Sequence, residues 1–298
     1  MEGDRVRIAV VGLGVMGLPM SLNLVKAGFD VVGYTRTAER GRPLADGGGA
    51  LAASLAEAVA DADVVVTVLP DTPDVQAVCA ELFEHAKAGT VLVDMSTIRP
   101  DAARELHERA AEVSMPMLDA PVSGGEAGAK EGKLSIMVGG AAETLERVRP
   151  VLAAMGTTIV LVGGPGSGQT VKAANQLLVA GTLQLVSEAL VFLDTHGVDL
   201  EPAVDVLGGG LAGSTVLARK GEAMLAGNFQ PGFRVDLHHK DLEIYRSAAR
   251  QNGVFSPAGA LVAELMASLR VTGSGGLDHS ALLTQVAALS GVEKWSAR

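Results

Sequence analysis

The sequence predicts an α/β N-terminal domain wound about a parallel sheet, an all-α C-terminal domain, and one long helix joining them. Three observations carry this. Short β-branched runs alternate with helical stretches as far as residue 162, the order of a doubly wound domain. The alternation stops at Gly163-Gly164-Pro165-Gly166-Ser167-Gly168. Beyond that break only helical patterns occur. At 298 residues the chain exceeds one ordinary core and suits two. The expected domains are residues 1–164 and 165–298.

Residues 6–11, 31–34, 64–69, 91–94, 134–138 and 158–162 read as strands, with 117–120 as a further one. Their nearly continuous apolar character fits strands covered on both faces. Residues 19–27, 55–60, 75–85, 100–112 and 142–154 read as the intervening helices. The long helix starts near Gly168 and runs to about Thr195. Its apolar stretch, 176–193, is broken by Gln184, Ser187 and Glu188, which favours a buried helix over a membrane span. Residues 201–207, 214–225, 239–252, 257–270 and 280–289 complete the helical part.

The chain is 48% hydrophobic with only 3% aromatic residues, so its cores must be aliphatic. A net charge of −10 without a basic block argues against nucleic acid as a partner. The single cysteine, Cys79, supports neither a disulfide framework nor a cysteine metal site and reads as a core residue. Residues 1–5 lead into the first strand without the apolar stretch of a signal peptide, so a cytoplasmic, non-membrane protein is expected.

Chemistry concentrates at strand ends and glycine loops. Gly12-Leu13-Gly14-Val15-Met16-Gly17 lies between the first strand and first helix, the context a dinucleotide-binding loop requires. Gly12 makes the turn, Gly14 lets a pyrophosphate approach, and Gly17 lets helix and strand pack closely. This makes the N-terminal domain Rossmann-type. The second strand runs into Thr35-Arg36-Thr37 with no acid from residue 31 to 38. An acid there would hold a ribose 2′-hydroxyl; a guanidinium between hydroxyls suits a 2′-phosphate. NADP is therefore preferred over NAD. Leu69-Pro70-Asp71 and Asp94-Met95-Ser96-Thr97 end later strands, where ligands of parallel sheets lie, although ordinary turn and cap chemistry would explain both. Leu69, Pro70, Ser96 and Thr97 are taken as cofactor-side residues.

Asp119-Ala120-Pro121-Val122-Ser123-Gly124-Gly125 offers a hydroxyl and accessible amides for a small carboxylate, unless it is merely a turn. In the long helix Lys172 and Asn175 are three apart and share a face. A cation there is costly to bury unless it is used, the plain alternative being a lysine reaching the surface. Phe233 and Lys240-Asp241-Leu242 are further candidates. The adjacent His238 and His239 point apart on a helix and suggest no metal.

Taken together, these motifs resemble the β-hydroxyacid dehydrogenases along the whole chain. The resemblance rests on Gly12–Met20, Asp94–Thr97, Asp119–Gly125, Gly168–Asn175 and Lys240–Leu242. Residues 209–217, 228–238 and 278–282 are most similar to the tartronate semialdehyde reductase branch. Many of that branch carry an acid before the arginine where this chain has Thr35, and use NADH. The resemblance implies a catalytic Lys172, with Asn175 beside it on the substrate. It implies Ser123 on the substrate and Thr97 and Lys240 near the nicotinamide; Gly124 and Gly125 are taken with Ser123 as the carboxylate site, and Phe233 as a cofactor-side residue. It further implies reduction of a three-carbon semialdehyde acid to D-glycerate, no metal, and a homodimer or homotetramer. Activity on 3-hydroxyisobutyrate or succinic semialdehyde is the alternative within the family. A non-catalytic dinucleotide-binding module is the alternative outside it, and such proteins tend to lose the lysine retained here.

Overall fold

The computed structural model describes residues 6–292 and 295; the stretch 1–5, expected to lead into the first strand, lies outside them. The chain forms two compact units, Met1–Lys172 and Ala173–Arg298.

In the first unit β1 (Arg7–Val11), α1 (Gly17–Lys26), β2 (Asp30–Tyr34), α2 (Arg42–Asp46), β3 (Ala50–Leu51), α3 (Leu55–Val59), β4 (Val64–Thr67), α4 (Thr72–His85), β5 (Val91–Asp94), α5 (Pro100–Glu112) and β6 (Met117–Asp119) follow one another. Then come β7 (Val122–Ser123), α6 (Gly125–Glu131), β8 (Leu134–Gly140), α7 (Ala142–Ala153) and β9 (Gly156–Gly163). The sheet order is β3-β2-β1-β4-β5-β6-β8-β7, with β9 on β8. The six strands from β3 to β6 are parallel. The expected all-parallel sheet needs one correction: β8 runs antiparallel to β6 and β7, and β9 runs with β8. A strand buried on both faces has the same composition in either direction, so composition cannot report this reversal.

Successive residues face opposite layers. Ile8 and Val10 join one core with Met20, Leu24 and Val66, while Ala9 and Val11 join the other with Leu55, Cys79 and Leu82. Burial pushes the Cys79 thiol well above its ordinary range, leaving it an inert core side chain.

Four short elements escape the sequence pattern: α2, β3, β7 and α6. The segment Gly124–Gly125, read as a possible turn, instead opens helix α6. Two glycines and two alanines hide that helix, which ends in the left-handed Gly132 and carries a Glu126–Lys130 ion pair of 2.6 Å.

α8 (Ser167–Thr195) runs from the first unit into the second, which adds α9 (Leu200–Gly209), α10 (Thr215–Leu225), α11 (Val235–Gln251), α12 (Pro257–Leu269) and α13 (Leu282–Leu289). α11 begins four residues before the expected 239. The first amides of α11, Val235 N–H and Asp236 N–H, donate to Leu277 O at 2.9 Å and Gly275 O at 3.0 Å. Carbonyls some 40 residues away thus extend it, a signal that local sequence does not carry. Among the described residues only α8 is long and apolar enough to cross a membrane. Its buried face includes Gln169, Lys172, Gln176, Gln184 and Ser187, which marks it as a packed core helix. Leu183, Leu190, Met224, Val262, Met266 and Leu282 form the helical core.

Candidate active site

The loop from β1 to α1 is shaped by contacts that only glycine permits. Gly12 has φ +103° and its N–H donates to Tyr34 O at 2.9 Å, tying the loop to the end of β2. A Cβ on Gly12 would run into the Val68 carbonyl oxygen, and one on Gly17 into that of Gly12. Gly14 faces open space. Leu13 is buried as the loop's anchor, Met16 is half-buried, and Val15 is exposed. No side chain caps α1, and no acid sits in its first turn. Leu18 N–H and Met20 N–H already donate to Gly14 O and Met16 O, so what α1 offers an anion above Gly14 is its uncapped positive end. The loop fits a dinucleotide pyrophosphate.

At the end of β2 Thr35 is half-buried, while Arg36 and Thr37 are exposed. The Arg36 side chain is 81% exposed and holds Asp74 only loosely, at 3.6 Å. Such a pair is weak, so little opposes recruitment of the guanidinium by a phosphate. Leu69 is half-buried and Pro70 exposed, and the following Asp71 caps α4 through Thr72 N–H at 2.6 Å. Ser96 is a brace: its hydroxyl accepts Leu69 N–H at 2.9 Å and its carbonyl accepts Gln169 Nε2–H at 2.8 Å. Thr97, next to it, is half-buried. Beneath them Asp94 accepts Thr67 Oγ1–H at 2.7 Å and Ser96 N–H at 3.2 Å through Oδ1. Its Oδ2 is buried without a hydrogen-bond partner. Burial pushes the Asp94 carboxyl up, against the pull of these hydrogen bonds.

Lys172 is 8% exposed, and its Nζ donates to Val122 O at 2.7 Å. The ammonium therefore lies against the peptide that leads into Ser123, Gly124 and Gly125. These last three are reached from the solvent side to different degrees: Ser123 and Gly124 are half-buried and Gly125 is exposed. Both glycines have positive φ, +138° and +66°, and Gly125 has open space where a Cβ would be. Within the first unit Lys172 thus stands at the residue that precedes Ser123, Gly124 and Gly125 in the chain.

In the second unit Asn175 Nδ2–H donates to Gln176 Oε1 at 2.8 Å, and Gln176 Nε2–H donates to Asp241 Oδ2 at 2.6 Å. Lys240 Nζ pairs with Asp241 Oδ1 at 3.0 Å, outside hydrogen-bond alignment, since that oxygen has no hydrogen-bond partner. The Phe233 ring packs on His238 and His279, each at a centroid distance of 5.4 Å.

Comparison with known proteins gives the same picture over most of the chain. The family model for the NAD binding domain of 6-phosphogluconate dehydrogenase matches residues 7–164. The model for NAD-binding of NADP-dependent 3-hydroxyisobutyrate dehydrogenase matches residues 166–286. The 2-hydroxy-3-oxopropionate reductase of Escherichia coli K12 is 40% identical over 93% of this chain and 96% of its own. This chain belongs to the β-hydroxyacid dehydrogenase family. As a β-hydroxyacid dehydrogenase it is an NAD(P)-dependent oxidoreductase that uses a nicotinamide dinucleotide. The structure of Mycobacterium tuberculosis 3-hydroxyisobutyrate dehydrogenase with L-serine superposes at a TM-score of 0.87, with 35% identity over 95% of this chain and 99% of that one. The 3-sulfolactaldehyde reductase of E. coli K12 is 35% identical over 96% and 97%. The family thus spans several small acid substrates.

Sequence reasoning about this dehydrogenase missed Asp119, Gln169 and Gln176 as individual residues. The available signal was polarity inside apolar runs: Gln169 and Gln176 on a long apolar helix, and Asp119 closing a buried strand. Asp241, whose ligand contact was open, is buried against Gln176 and Lys240. No group of three histidine, cysteine, aspartate or glutamate side chains that could hold a metal ion occurs among the described residues.

Proposed function

We propose that this β-hydroxyacid dehydrogenase reduces tartronate semialdehyde to D-glycerate with NADPH, and that Lys172 is its general acid and, in reverse, its base. The buried Lys172 ammonium beside Ser123, Gly124 and Gly125 carries this reading: a proton donor adjoins a ready carboxylate cradle. A reduced nicotinamide held there would supply the hydride that the aldehyde carbon accepts. Lys172 stabilises the negative charge that develops on the aldehyde oxygen and gives it a proton. Ser123 Oγ–H and the Gly124 and Gly125 amides hold the carboxylate. Asn175, one helical turn from Lys172, orients the substrate. Gly12–Gly17, Leu69, Pro70, Ser96, Thr97, Phe233 and Lys240 form the cofactor side. Arg36 binds a 2′-phosphate with Thr35 and Thr37, and its exposure supports an NADP preference.

The working division is a dinucleotide-binding domain at 1–164 and a helical substrate and assembly domain at 165–298, in a cytoplasmic homodimer or homotetramer. Leu178, Leu185 and Phe192 recur every seven residues on α8 and are each more than 60% exposed, which supports self-association through that stripe.

The test is oxidation of NADPH and NADH by the purified protein with tartronate semialdehyde. Faster turnover with NADPH is expected. Lys172→Ala should cut kcat/KM by about 10²–10⁴-fold while NADPH binding persists; wild-type turnover would remove the lysine assignment. Arg36→Ala should raise KM for NADPH about tenfold and leave NADH unchanged. Turnover confined to 3-hydroxyisobutyrate or succinic semialdehyde would overturn the substrate and keep the chemistry.

A further inference from the structure

We infer that Asp119 is the positioning residue for Lys172; the inference rests on the proposed role of that lysine. Asp119 ends β6, with no exposed surface. Its Oδ1 accepts Gly166 N–H at 2.8 Å, and its Oδ2 accepts Gln169 N–H at 2.9 Å. These amides flank the start of α8, where a carboxylate answers both orphan N–H groups and the positive helix end. His107 Nε2 adds a third contact, at 3.2 Å to Oδ1. One turn further along α8 the Lys172 ammonium reaches Val122 O. The four residues Asp119-Ala120-Pro121-Val122 are therefore bonded to α8 at both ends. This short strap fixes how far the amine stands from Ser123, Gly124 and Gly125, which continue from it.

Two glycines show how closely the helix start is fitted. A Cβ on Gly139 would sit 2.5 Å from Asp119 Oδ1 and 2.7 Å from Gly168 N. One on Gly168 would strike the carbonyl oxygens of Asp119 and Met137. Gln169, whose amide Asp119 holds, extends the clasp: its side chain accepts Ile98 N–H at 3.0 Å and donates to Ser96 O at 2.8 Å. Those partners bracket Thr97 on the cofactor side. A single carboxylate thus orders the helix turn that aims the amine and, through Gln169, the loop that carries Thr97.

Asp119→Asn keeps the shape but turns an NH₂ toward one of the two amides, which breaks one clasp and loosens the helix start. A merely structural cap would lower stability and leave the chemistry of the folded enzyme intact. The test is a double-mutant cycle of Asp119→Asn and Lys172→Ala, read as kcat with whichever semialdehyde acid the wild type turns over, with NADPH KM measured beside it. Expected is a 10- to 100-fold loss of kcat for Asp119→Asn alone, with NADPH KM within threefold. In the Lys172→Ala background the further loss should fall below threefold, because the group being aimed is gone. Val148→Ala, a buried truncation in α7, sets what lost stability alone does to kcat. Equal losses in both backgrounds, or unchanged kcat for Asp119→Asn, overturn the inference while leaving Lys172 in place. Wild-type activity of Lys172→Ala instead overturns the underlying assignment. If Asp119→Asn does not fold, Asp119→Glu, which keeps the charge but shifts the oxygens, takes its place in the cycle. A kcat loss that shrinks below threefold without Lys172 again supports the inference, and an equal loss in both backgrounds overturns it.

Discussion

The two units bury polar side chains in opposite ways. In the sheet unit Asp94 and Asp119 stand in register on neighbouring strands, and each takes backbone amides from a strand-end loop or a helix start, Ser96 N–H for Asp94 and Gly166 N–H and Gln169 N–H for Asp119. In the helical unit His238 and His279 meet ring to ring, with Nδ1 atoms 2.9 Å apart, and Gln176 meets Asp241. The difference follows from where backbone donors are free. Helix interiors use up their own N–H groups, so a buried acceptor between helices needs a side-chain donor. Asp278 supports this rule, because it lies on a loop and there takes the N–H groups of Gly232, Phe233 and Ser280 as well as Lys220 Nζ.

One hydrogen of the histidine pair is fixed by its partner. His238 Nε2 lies 3.1 Å from Gln176 O, which can only accept, so Nε2 carries hydrogen. Burial, then the neighbouring His238, pushes His279 down to about 3, against the pull of Asp278. Asp278 is held well below the usual carboxylate range: burial raises it, but His279, Lys220, Ser280 and Phe233 outweigh that.

The largest expected test of this contrast is acid. A histidine kept neutral in the fold contributes stability that is full above pH 6.5 and lost as pH falls toward 3, on the order of 5 kcal/mol for one fully released group. The depressed Asp278 contributes stability above pH 3.8 that is lost below it. Asp94 has the opposite sign: its raised carboxyl costs stability as pH rises above 3.8. Hydrogen exchange at pH 7 and pH 5 should therefore show the helical unit loosening first on acidification. Loosening of the sheet unit first would break the contrast.

A smaller effect sharpens the backbone side of it. Gly17→Ala forces a methyl onto the Gly12 carbonyl and should cost roughly 1–3 kcal/mol, lowering Tm together with cofactor binding. Gly14→Ala meets nothing, so Tm should hold while the NADPH dissociation constant rises. Equal Tm for the two variants would contradict the loop geometry. The smallest change is Asp94→Asn. Its oxygen can still accept from Thr67 and Ser96, and its stability at pH 7 should match or exceed the wild type by up to about 1 kcal/mol. A loss of several kcal/mol in thermal unfolding would show that the ionised carboxylate is needed.

Much of the site was legible because its signals are local. The strands β1, β2, β4, β5 and β6 show as apolar runs, and Gly12–Gly17 needs only its flanking strand and helix. Lys172 stands out as a cation in an apolar helix. The reversal at β8, the helix α6 hidden among glycines, and the early start of α11 were not legible. Each depends on a neighbour that arrives from elsewhere in the chain.

By itself the sequence determined the division into an α/β and an all-helical part, the dinucleotide loop and the helix that bears the lysine. These follow from periodicity and from residue types that act within a few positions of one another. Only the tertiary structure decided which buried polar groups meet: Asp119 with Gly166 and Gln169, Gln169 with Ser96, Gln176 with Asp241, His238 with His279. A buried donor or acceptor must find a partner, and sequence can state that requirement. The partner stands 41 to 73 residues away in these cases, and only packing brings the two within hydrogen-bond reach.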